Sequence, residues 1–125
     1  MKNRMDQIQR KTPAFRTMEA LLADTTFMRH IRSDEERITN NTGKSSLLEE
    51  QRTAHAKTLQ NIKRQFDTLS DAEQNRFKSL CEERLRILRS IQPADERTAD
   101  SDGKESIKRL KDVEYLGEIL GLGEG

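Results

Sequence analysis

Between Leu48 and Leu69 the apolar positions recur in alternating steps of four and three: Leu48, Arg52, His55, Leu59, Ile62, Phe66 and Leu69. Side chains at that spacing share one face of an α-helix, and the pattern is the seam of a heptad repeat, as in coiled coils. Glu50, Thr53, Lys57, Gln60 and Arg64 fall on the opposite side. A helix divided so cleanly has to lie on something apolar.

The nearest candidate follows in sequence. Ser70-Asp71-Ala72-Glu73 has the form of a capping box, which ends one helix and starts another. The second helix places Phe77, Leu80, Cys81, Leu85, Ile87, Leu88 and Ile91 on one broad arc, with Arg84 near its centre, and Pro93 ends it. Two such segments joined by a few residues predict an antiparallel αα-hairpin over 46–91, about 30 Å long.

Shorter elements surround it. Thr12-Pro13 reads as a cap followed by a first-turn proline, and Phe15, Met18, Leu21 and Leu22 then share a face. Continuing that helix would throw Phe27 and Ile31 to the other side. A break near Asp24-Thr25-Thr26 places Phe27, Ile31 and Ile38 on one stripe. Residues 92–104 lack any large apolar side chain and read as a flexible linker. A C-terminal amphipathic helix is expected over 105–122, capped near Asp102, with Leu110, Val113, Leu116 and Leu120 on one side. The chain thus divides into a basic arm at 1–12, a helical bundle at 13–91, the linker, and that tethered helix. The fold class is all-α, a small bundle of four to five helices. One valine and no tryptophan in 125 residues fit that reading, since both favour sheets.

One stretch suggests nucleotide chemistry. "ITNNTGKSS" contains Gly43-Lys44-Ser45, the end of a phosphate-binding loop. Such a loop also needs a glycine five residues before Gly43, and that position is Ile38. A buried strand should precede it, yet residues 27–38 have helical periodicity. The segment reads instead as a turn, with Ser46-Leu47-Leu48-Glu49 as the next capping box.

Other chemistry is scarce. Two histidines, 25 residues apart, and one cysteine form no familiar metal-ligand spacing. Adjacent acidic pairs such as Glu49-Glu50 and Glu82-Glu83 diverge by about 100° on a helix, which unsuits them for shared acid–base work. His30 reads as exposed and Cys81 as a small core residue. No enzyme, cofactor, metal or small-molecule substrate is expected. The single cysteine and the absence of a secretory or membrane-length apolar run point to a cytoplasmic location.

Recognition is the expected role: a small regulator, adaptor or assembly subunit that presents an amphipathic helical surface to a protein partner or to another copy. The expected partner-binding residues are Leu48, Arg52, His55, Leu59, Ile62 and Phe66, with Arg84 and Leu88 opposite. Arg52 and Arg84 stand out, because a charge on an apolar stripe must reach the edge or find a carboxylate. The alternative is nucleic acid. Residues 1–16 hold five basic groups against one acidic. Lys2, Arg4, Arg10 and Lys11 would then act with Arg86 and Arg89. Against it, the net charge is only +1, far from the basic stripe that phosphate binding favours.

Overall fold

The computed structural model describes residues 11–40 and 46–122. Among the described residues the protein is all-α, with five helices and no strand. They are α1 (Pro13–Ala23), α2 (Thr26–Asn40), α3 (Ser46–Asp67), α4 (Asp71–Ser90) and α5 (Ser101–Leu120). A single 3-10 turn, Glu96–Thr98, precedes α5. The turn expected at 41–45 and the side chain of Ser46, where a cap is expected, lie outside the described residues, as does most of the N-terminal arm.

Local chemistry sets the boundaries. The Thr12 hydroxyl accepts the Phe15 N–H at 3.2 Å, and the Ser70 hydroxyl accepts the Glu73 N–H at 3.2 Å. Glu73 does not reach back to Ser70 as a reciprocal box would. Its carboxylate accepts instead from the N–H and hydroxyl of Thr12, at 3.2 and 3.0 Å, and so pins the start of α1 to the start of α4. The break between α1 and α2 falls at Asp24-Thr25, as the sequence requires. Asp24 accepts from the hydroxyl and N–H of Thr26 at 2.7 and 3.1 Å, and these bonds hold its carboxyl below the usual carboxylate range.

The core gathers around Phe77, which meets Phe15 edge-on at 6.3 Å and Phe66 at 5.9 Å between ring centres. Met18, Leu22, Met28, Ile31, Ile62, Leu69, Cys81, Leu88 and the α5 residues Val113, Tyr115, Leu116 and Ile119 complete it. Each fully buried Leu, Met or Phe contributes roughly 1.5–3 kcal/mol through the water it sheds.

The layout differs from the expected hairpin in which α3 and α4 face each other along their length. They meet at the Phe66–Phe77 contact near their joint, but α3 packs chiefly on α1, α2 and α5, and α4 chiefly on α5 and α1. The seam of α3 therefore closes against a bundle, with Leu48, Ile62, Phe66 and Leu69 buried and Arg52 turned outward.

The C-terminal helix also departs from expectation. It starts at Ser101 rather than 105, capped by Asp100, whose side chain accepts the Gly103 N–H at 2.8 Å. A methyl group at Gly103 would stand 3.1 Å from the Ala99 side chain, so glycine permits this tight start. Gln92 ties the end of α4 to α5 by donating to the carbonyls of Leu88 and Ser106 at 2.9 and 3.0 Å. Gly121, at φ 69°, closes the helix in the left-handed conformation.

Candidate functional site

Two sides of the bundle differ in character. On one side α2 and α5 are joined around Asp112, whose side chain is wholly buried. Arg29 Nε and Thr25 Oγ1 each donate to Asp112 Oδ2 at 3.0 Å, while Arg32 Nη2 and Nε donate to Oδ1 at 2.9 and 3.2 Å. Arg29 also donates to Glu105 at 2.8 Å, and Arg109 donates to the same carboxylate at 3.2 Å. These bonds, Arg29's first, keep the Glu105 carboxyl below its ordinary range. Glu105 in turn strengthens the Arg29 charge. A buried carboxylate is tolerable only with such partners. Tyr115 lies nearby with its hydroxyl buried and unpartnered among the described residues; burial, and then the Glu35 charge, push the phenol upward. The Asp112 carboxylate has donors on both oxygens, and the cluster reads as structural.

On the other side, α1 and α4 run in the same direction. Thr12 meets Glu73 at their starts, and further along Ala23 and Ile87 line a shared groove of about 550 Å³. Ala20, Ala23, Leu80 and Ile87 supply its apolar lining, and Arg16 and Arg84 its cations. Ile87 is 45% exposed, and Ile91, one turn on, 54%.

The helical wheel of α4 explains this. Its apolar arc spans about 160° at 100° per residue, more than one neighbour covers. The middle of the arc, Phe77, Cys81 and Leu88, turns into the core. One edge holds Leu80, Arg84, Ile87 and Ile91 within about 60°; Leu80 is half-buried against the core, while Arg84, Ile87 and Ile91 stay open. Arg84 thus sits on the exposed edge among isoleucines and not opposite the α3 seam. Phe27, expected on the buried stripe of α2, is 48% exposed, because Met28 and Ile31 take the inner face alongside Arg29 and Arg32. It lies just past Ala23, toward the same end of the molecule as Ile87 and Ile91.

The expected partner-binding residues do not assemble into one surface. Ile62, Phe66 and Leu88 belong to the core, Leu48 is buried, and Leu59 packs on the core from its edge. Arg52 is exposed and pairs with Glu49 at 3.3 Å. His55 lines a cavity of about 160 Å³ between α2 and α3, its Nε2 buried without a partner among the described residues. Ile87, Ile91 and Leu80 were legible only as arc members; the width of that arc was the available signal for an open edge.

The expected nucleic-acid contacts fare as follows. Lys2, Arg4 and Arg10 lie outside the described residues. Lys11 is bound to Glu19 at 2.7 Å, Arg86 faces Glu83 at 3.9 Å, and Arg89 faces Glu114 at 3.5 Å.

Cys81 is buried and its thiol is pushed up to about 12 by burial, so it is an inert core group. Among the described residues no cluster of three or more His, Cys, Asp or Glu is arranged to hold a metal ion, and no helix is long and apolar enough to cross a membrane. Neither family models, curated proteins nor solved structures give a match to this chain.

Proposed function

We propose that the protein is a non-enzymatic recognition module that seats a protein partner in the groove between α1 and α4. One observation carries this reading: Ile87 and Ile91 stand about half-exposed in line with Leu80, beside a groove with an apolar lining. A run of large apolar side chains left open next to a concavity is the usual mark of a protein contact. The regulator, adaptor or assembly-subunit roles all use such a surface. The nucleic-acid reading draws less support, because Lys11, Arg86 and Arg89 each face a carboxylate.

The test is photo-crosslinking in an extract of the source cells, with a photoreactive residue at position 87 or, on α5, at exposed position 108. A partner captured from 87 but not from 108, and lost on Ile91→Asp, is the expected result. Identical capture from both positions would remove the proposal.

A further inference from the structure

The charges around the groove say more than its apolar lining does. Four charged residues border it: Arg16, Glu19, Glu83 and Arg84. Of the two carboxylates, Glu19 has a firmly bound cation from outside the groove and Glu83 only a distant one. Glu19 holds Lys11 at 2.7 Å, and Glu83 faces Arg86 at 3.9 Å. Neither Arg16 nor Arg84 forms an ion pair with any described residue. The rim therefore offers two uncommitted guanidiniums, one on each wall, and of its two carboxylates Glu19 is already neutralised from outside the groove.

The spacing selects the shape of the occupant. Leu80, Ile87 and Ile91 follow one another by seven and four residues, so they form a straight ridge of about 16 Å along α4. Arg84 interrupts that ridge at its middle. Three turns of a second helix match its length, with apolar anchors every three or four residues. Resting on the recognition reading, we infer that the groove takes an acidic amphipathic helix of a partner protein. Its apolar stripe covers Ile87 and Ile91, and its flanking carboxylates pair with Arg16 and Arg84. The chain's own first ten residues do not suit this groove, since they carry Lys2, Arg4 and Arg10 against a lone Asp6. Guanidinium pairs with carboxylate in a planar, two-bond geometry, which gives the cations register as well as charge.

The test is selection from a display library of helical 16-mers, on the full-length chain at low salt. The library keeps a fixed leucine stripe and randomises the flanking positions. Selected helices should carry Asp and Glu on their flanks, and a chain bearing both Arg16→Glu and Arg84→Glu should select Lys and Arg instead. A selected acidic peptide should bind the Arg84→Gln chain about two- to five-fold more weakly, the size of an exposed pair. Ile87→Asp should abolish its binding, with helicity checked by circular dichroism and Ile91→Asp as a second variant. Neutral or basic winners that still depend on Ile87 would overturn the acidic inference and leave recognition standing. Winners indifferent to both isoleucines would overturn recognition itself. Two further outcomes would replace the partner: a single-stranded 20-nucleotide RNA that binds through Arg16 and Arg84, or self-association of the chain lost on Ile87→Asp.

Discussion

The α2–α5 side and the α1–α4 side use arginine in opposite ways. Arg29 and Arg32 are drawn onto a buried carboxylate and spend their hydrogen bonds inside the molecule. Arg16 and Arg84 border a groove and pair with nothing described within the chain. The same residue type locks one helix pair and, on the other, stays unpaired at the rim of a groove. What separates the two cases is a buried carboxylate: Asp112 needs both guanidiniums, whereas Glu19 and Glu83 on the groove rim lie toward solvent and face Lys11 and Arg86.

The largest effect should come from removing the lock. Asp112→Ala strands two guanidiniums that are 25% and 21% exposed. Urea unfolding should then show a loss of about 3 kcal/mol, toward the low end for a broken buried pair because partial exposure lets water reach the cations. A loss below about 1 kcal/mol would erase the contrast between the two sides. Next comes Thr12→Ala, which removes the α1 cap and its tie to Glu73. It should cost about 1 kcal/mol in the same assay.

Acidification should act on the locked side. The Glu105 carboxyl titrates below its ordinary value of 4.5 when folded, so its contribution is complete above that pH and is lost as pH falls through the lower, folded value. Glu105→Gln should flatten that part of the acid-side decline in melting temperature. The smallest effect belongs to the open side. Ile87→Asp should shift stability by no more than about 0.5 kcal/mol, since the side chain is half in water, while the proposed peptide binding is lost. A large loss of stability would mean that Ile87 is core.

The features written in local chemistry were legible in the sequence. Thr12 and Ser70 cap helices because a hydroxyl needs only its next three residues to do so. The α1–α2 break follows from an apolar stripe that cannot stay in phase through Asp24. What depends on distant partners was not legible. Asp112 shares a helix face with Leu116 and Ile119, and only Arg29 and Arg32, some eighty residues earlier, make that position tenable. For the same reason residues 92–104 looked like a loose tether, although α5 supplies part of the core. Arg84 and Ile87 could be placed on an arc, but not on its covered or open edge, until α1 and α5 were in position.

The α5 helix packs as part of the bundle rather than as an arm beside it. Native-state hydrogen exchange, resolved along the full chain, tests this directly. Amides of residues 110–119 should exchange through the same global opening as those of 77–88. Exchange of 110–119 well ahead of 77–88 would contradict the account.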